Sequence, residues 1–193
     1  AQTARATLES LLREGYGELL AATDAGAALR ALGRFRVLCA LREGPSGTRG
    51  LNPWIESRLA GAGAHVAQPW LVESNDPAIG LYNGDLGVSL ARAPGQVWFA
   101  GDGGPREVAR ARLPAHAAAW AMTVHKAQGS EFDSVLVLLP PKPHPLLTRE
   151  WLYTALSRAR GRVIVHAEAP VLMATVTARG SRDSGLWERL AAG

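Results

Sequence analysis

Apolar positions in the first part of the chain recur at helical spacing. Leu8, Leu11, Leu12, Leu19 and Leu20 fall near one face of a stretch from 4 to 23, and Asp24 stands where an N-cap opens a second helix ending near Gly33. The period then changes. FRVLCAL, 35 to 41, is a continuous apolar run fit for a buried strand; the punctuated loop REGPSGTRG follows, then a helix predicted from about Leu51 to Ala60. GAGAH, 61 to 65, reads as a helix-to-strand turn. From Ala67 to Pro114 the β-prone runs QPWLVES, GVSLAR, QVWFAG and REVARAR are separated by turn-rich NDPAIGLYNGDLG, APG and DGGP, which predicts a small antiparallel module. Four strands so closely spaced cannot interleave with an α/β layer, so this module reads as an insertion. From about Ala118 strand and helix alternate again: AAAWAMTV, HKAQGSEF, the strand SVLVLLP, the loop PKPHP, the helix TREWLYTALSRAR and the strand RVIVHAE, with helices predicted at 169 to 180 and 185 to 192. The fold class predicted is α/β, a doubly wound parallel sheet flanked by helices and carrying a β insertion.

Composition narrows the choice further. With 47% hydrophobic residues among 193, the chain can bury a full core, and disorder is excluded. No apolar run approaches the roughly 18 to 20 residues of a membrane span, and AQTARATLES at the start has no signal-peptide core. The single cysteine, Cys39, lies inside an apolar run, which excludes an internal disulfide or a cysteine-based metal cluster and predicts a packing role in a reducing, cytoplasmic setting without a membrane. The net charge is +4, and 19 of the 21 cations are arginines, a residue suited to forked phosphate contacts. Arginine bias also follows from GC-rich coding, so charge alone names no partner.

Ligands of open α/β sheets bind at the carboxyl ends of strands, and three polar clusters are expected there. Arg42 ends the first strand with a Gly-rich loop behind it, a placement that aims a guanidinium at a phosphate. Between two apolar strands, Thr123, His125, Lys126, Gln128, Gly129, Ser130 and Glu131 crowd where a simple connection needs only turn residues. The first three offer a hydroxyl, an imidazole and an ammonium to sugar-phosphate oxygens, while Gln128 and Glu131 suit a ribose or nucleotide edge; the plainer alternative is a helix start capped by Thr123 or Ser130. In YTALSRARGR, Arg158, Arg160 and Arg162 stand two apart; on a helix they fan over different faces, and Arg158 is the one expected to face a cleft, where an arginine can neutralise charge on a transferring phosphoryl group. The chain has no GxxxxGK[ST] loop and no acidic strand to hold magnesium, so it does not make a complete nucleotidase by itself. His65, His116, His144 and His166 are scattered and form no metal or triad pattern.

AMTVHKAQGSEFDSVLVLLP resembles motif V of superfamily 1 helicases, and LYTALSRAR resembles motif VI. With FRVLCALREGPSGTRGLNPWIE and NDPAIGLYNGDLG before them, nearly the whole chain resembles the C-terminal part of the RecD family, the alpha subunits of exodeoxyribonuclease V. The resemblance implies a second RecA-like domain, of the P-loop NTPase type, at 1–66 and 115–193, with an SH3-like insertion at 67–114. It also implies a 5′ to 3′ DNA helicase in recombination and repair that acts on single-stranded and duplex DNA. ATP with Mg2+ would be held mainly by a first motor domain outside this sequence, and RecB- and RecC-like subunits would be partners. Carried over by motif, Arg42 is a phosphate-sensing arginine and Arg158 the arginine finger. Glu131, with Gln128 and Gly129, addresses the nucleotide; Thr123, His125, Lys126 and Asn83 contact DNA. Two departures stand out. Leu41 replaces an adenine-stacking tyrosine, and Ser157 replaces a threonine before the finger. Under this reading Arg42 and Arg158 converge on one triphosphate across a shared crevice. Two other readings stay open: a non-catalytic DNA- or protein-docking module, and another superfamily 1 helicase, stand-alone or joined to a relaxase.

Overall fold

The computed structural model describes residues 2–60 and 67–180. The turn expected at 61 to 65 and the helix expected at 185 to 192 lie outside the described residues. The chain opens with two helices, α1 (Gln2–Ala21) and α2 (Ala25–Leu32), the second capped by Asp24, whose side chain accepts from the Ala27 N–H. β1 (Phe35–Cys39) is buried at every position, as a central parallel strand must be. α3 (Thr48–Ala60) begins three residues earlier than the apolar period suggested. Glycines permit this: a Cβ on Gly47 would lie 2.3 Å from the Glu43 carbonyl oxygen, and one on Gly50 2.5 Å from that of Gly44, so the loop folds tightly onto the helix start only because both are bare.

The next strands are β2 (Ala67–Val72), β3 (Leu86–Leu90), β4 (Ala93–Phe99), β5 (Arg106–Ala109) and β6 (His116–Ala118), forming one antiparallel sheet in the order β5-β4-β3-β2-β6. This is five strands rather than four, because His116–Ala118 returns to pair with β2. The chain then supplies β7 (Ala121–Thr123), β8 (Phe132–Leu138), α4 (Arg149–Leu156), β9 (Ala159–His166) and α5 (Ala169–Thr177). With β1 these strands build a parallel sheet ordered β7-β1-β8-β9. Side chains alternate across it. Phe35, Val37, Leu136 and Leu138 pack with α1, α2 and α3, whereas Leu38, Val135 and Val137 pack with Leu152 of α4 and Val171 of α5.

The antiparallel sheet is not a detached appendage. Val88 and Leu90 belong to the same buried cluster as Leu12, Ala28 and Val37, and Leu71 joins the cluster on the other face. Only Val72, Leu81, Val97, Phe99 and Val108 form a small core of its own. Among the described residues no helix is long and apolar enough to cross a membrane.

Where these pieces meet, Arg36 is wholly buried. Its guanidinium donates to the carbonyls of Leu32 and Ala119 and lies 5.2 Å from the centre of the Phe132 ring. Tyr16 of α1 donates its hydroxyl to the Trp120 carbonyl and meets the Phe35 and Trp120 rings edge-on. Burial pushes the Arg36 pKa down and the Tyr16 pKa up, each opposed by the other. Cys39 is equally enclosed, and burial raises its thiol to about 12.

Arg36→Ala should cost roughly 3 to 5 kcal/mol in urea unfolding, because two buried carbonyls lose their donor and a void opens among Tyr16, Trp120 and Phe132. Arg36→Met, which refills the volume without the donors, should cost measurably less; equal losses would mean that the lost hydrogen bonds, not the void, account for the whole effect. Alkylation followed by mass spectrometry should leave Cys39 unmodified in the native protein near pH 8.5, about where a free thiol is half ionised, and modify it fully once denatured.

Candidate nucleotide and DNA-facing sites

All four strands of the parallel sheet point the same way, so its two edges are chemically distinct. At the carboxyl edge, β1 ends at Cys39 and β7 at Thr123, paired with each other. Arg42 lies just beyond, half exposed, its Nη2 3.1 Å from Glu73 Oε1. Thr123 Oγ1 accepts from the Lys126 N–H, and Lys126 Nζ donates at 2.6 Å to Asn83 Oδ1. Asn83 sits on the loop between β2 and β3, where its N–H is held by Asn75 Oδ1 at 2.8 Å. A cleft of about 60 Å³ is lined by Arg42, Thr48, Asn52, Glu73, Thr123 and Lys126. Asn52 is buried and pairs both ways with the backbone of Ala121, at 3.0 and 2.7 Å, acting as the missing neighbour of edge strand β7. This positions Thr123, two residues on. His125, next to Lys126 in the chain, is exposed.

The amino edge carries the other group. Phe132, at the start of β8, donates its N–H to the Arg158 carbonyl. Arg158 lies in the turn between α4 and β9, because the helix stops at Leu156. Arg160 and Arg162 are therefore strand residues and do not fan from a helix: Arg160 pairs with Glu131 at 3.1 Å and Arg162 with Glu14 at 2.7 Å. Arg158 donates to the Thr154 carbonyl, the Ser130 carbonyl and the Ser157 hydroxyl. Among the described residues it forms no ion pair, so its charge is uncompensated. Gln128 and Gly129 are exposed, and Gly129 takes φ +85°, a left-handed turn that a side chain would strain. Glu131, Ser130 and Gly33 open onto a cavity of about 450 Å³ reaching Arg106 and Gly84.

Arg42 and Arg158 are thus not brought together. Cys39 is level with Leu138 and Phe132 is level with Ala159, so six residues of strand, about 20 Å at 3.3 Å each, separate the edges on which the two arginines stand. The single crevice expected for them is not formed. Arg42 instead joins Thr123, Lys126 and Asn83, because the strand end that presents it is the one β7 shares. What joins the two edges is residues 124–130. Val124 and Ala127 are buried in the core beside Phe132, and the Ala127 N–H is held by the Thr123 carbonyl.

Glu73, Asn52 and Arg160 were not singled out from the sequence. Each acts on a partner distant in sequence, so no local pattern marks it; Arg160 alone stood inside a motif already quoted.

Residues 118–166, from the end of β6 through β9, match the UvrD-like helicase C-terminal domain family. RecD, a RecBCD enzyme subunit of Mycobacterium tuberculosis, is 40% identical over 93% of this chain, which spans 32% of that relative's length. The ATP-dependent RecD2 DNA helicase of Deinococcus radiodurans is 32% identical over 83% of this chain, matched by 24% of its own. In fold, the chain superposes on Pif1 helicase from Bacteroides, solved with ADP-AlF3 and single-stranded DNA, with a TM-score of 0.53, covering 98% of this chain and 54% of that one at 17% identity. The parallel sheet with its helices is thus a RecA-like α/β fold. Along nearly its whole length the chain is similar to the C-terminal part of RecD subunits, of whose length it spans about a third.

Proposed function

We propose that this chain is the second motor domain of an ATP-dependent DNA helicase, with a nucleotide face at the amino edge of its parallel sheet and a single-stranded DNA face at the carboxyl edge. The observation that carries the reading is the segment 123–131: one end stands among Thr123, Lys126, Asn83 and Arg42, the other among Glu131, Arg158 and Arg160, and between them Val124 and Ala127 are anchored in the core. A displacement at either end is delivered to the other, because a close-packed interior transmits strain instead of absorbing it.

On the nucleotide face Arg158 is the arginine finger. Its three donors rest on neutral oxygens, and a triphosphate presented by a first motor domain offers them charged acceptors, which bind a guanidinium about twice as strongly. Gln128, Gly129 and Glu131 edge the nucleotide, with Arg160 holding the Glu131 carboxylate. Mg2+ would come with the phosphates of ATP, held mainly by the first motor domain. On the DNA face Thr123, Lys126, Asn83 and His125 take sugar-phosphate oxygens. Arg42 joins them in place of its expected nucleotide role. The SH3-like insertion is the antiparallel sheet, which runs on to Ala118 and not to 114 because β6 pairs with β2; it supplies Asn83 to that face, and RecB- and RecC-like subunits are the partners. Translocation runs 5′ to 3′ along single-stranded DNA at a duplex junction, in the cytoplasm.

In the full-length protein Arg158→Ala should lower DNA-stimulated ATP turnover by roughly 10³ to 10⁵ and leave single-stranded DNA binding nearly intact; unchanged turnover would remove the finger assignment. Lys126→Ala should weaken binding to all sequences alike and reduce the salt slope by about 0.7, the share of one phosphate contact. A loss confined to certain sequences would contradict a backbone contact. The 193-residue chain alone should hydrolyse no ATP, and turnover by it would reveal a second nucleotide site.

A further inference from the structure

The loop that brings Asn83 to Lys126 carries an aromatic residue with no role so far. Tyr82 is 52% exposed, whereas its neighbour Leu81 is 1% exposed and anchored in the small core with Val97 and Phe99. A tyrosine presents an apolar ring with a polar tip, which suits it to a contact that is half apolar and half wet.

The loop around Tyr82 is fixed. Asp76 and Leu81 exchange both backbone hydrogen bonds, at 2.7 and 3.1 Å. The Tyr82 N–H is held by Asp85 Oδ2 at 2.8 Å, and the Asp85 N–H by the Tyr82 carbonyl at 3.0 Å. Arg106 donates to the carbonyls of Ile79 and Gly80, and Gly80 and Gly84 take the left-handed turns that bracket the tip. The ring therefore stands on a rigid base, and little backbone freedom is lost when something packs on it. Next to it in the chain, with α-carbons about 3.8 Å apart, Asn83 bonds the ammonium of Lys126.

The Lys126 ammonium, and a half-exposed aromatic ring on the residue next to its Asn83 partner, supply the two parts of a single-stranded nucleic-acid site: the charge tracks the backbone and the ring takes a base. We infer that Tyr82 is a base-stacking platform, receiving one unpaired base of the nucleotide whose phosphate lies at Lys126. This rests on the DNA-face reading above and adds to it a contact with the bases. Stacking is indifferent to base identity, so the platform holds any sequence. It also discriminates, since a paired base keeps its faces against its neighbours in the duplex and offers none to the ring.

The test uses the full-length protein and two fluorescent strands of equal length, one oligo-dT and one abasic throughout, with binding followed by anisotropy. Tyr82→Ala should bind oligo-dT about ten-fold more weakly, within the range of one base stacked on one ring, yet bind the abasic strand within about two-fold of the parent. Tyr82→Phe should keep the parent's affinity for both. Equal losses on the two strands, or no loss on oligo-dT, overturn the platform, and the second result with weakened subunit association would make Tyr82 a protein-docking residue. Lys126→Ala separates the two readings: if it loses both strands while Tyr82→Ala loses neither, the DNA face stands and the platform falls. If the parent binds neither strand, both fall together.

Discussion

A cation buried without a carboxylate is the constraint on which this structure turns. Among the described residues Arg36 pairs with no carboxylate; its charge is answered by the Leu32 carbonyl at the C-terminus of α2, where the helix dipole is negative, by the Ala119 carbonyl and by the face of Phe132. Those three groups come from three parts of the chain: the opening helix pair, the return from the antiparallel sheet, and the start of β8. Isolated burial of a charge is expensive, so the guanidinium is tolerable only while all three are in place. Loosening any one exposes the cost, and assembly of the two sheets becomes a joint condition.

The position of that anchor matters for the site. Ala119 precedes β7 by two residues, and Phe132 follows Glu131 directly, so Arg36 grips the chain on both sides of the segment that carries Thr123, Lys126 and Glu131. Asn52 adds a second grip by pairing with Ala121. The segment is therefore clamped at its base while its polar residues remain exposed at the two sheet edges. Such a part can pivot as a unit but cannot melt locally without undoing the core. A domain that passes small movements from one edge to another needs that combination.

The sequence disclosed elements far better than meetings. Runs such as FRVLCAL and SVLVLLP could only be buried parallel strands, and Asp24 and Gly33 marked α2 within a residue at each end. The helix through YTALSRAR was overextended, because Ser157, Arg158 and Arg160 are acceptable helix residues and only the pairing of β9 with β8 draws Ala159 onward into strand. The polar crowding at 123 to 131 was visible as an excess over what a turn requires. Its division between two edges was not, since that depends on the strand order β7-β1-β8-β9, and order is decided by packing across long separations. The same ignorance produced the supposed meeting of Arg42 with Arg158. Both follow motifs at the ends of elements, but one end is a strand's carboxyl terminus and the other precedes a strand.

Placing Arg42 on the DNA face gives Glu73 a meaning it would otherwise lack. In the absence of DNA, Arg42 is held by that carboxylate, which is itself only a quarter exposed. On the proposed DNA face a phosphate arriving at Arg42 competes with Glu73 for a guanidinium that is itself half exposed to solvent. Such an exchange would suit the proposed translocation, in which each phosphate is released as readily as the next is taken. Lys126 is arranged alike, with a neutral amide, Asn83, in place of a carboxylate. On the proposed DNA face both cations are thus preorganised by partners within this chain, Glu73 for Arg42 and Asn83 for Lys126, so that their positions follow the clamped segment.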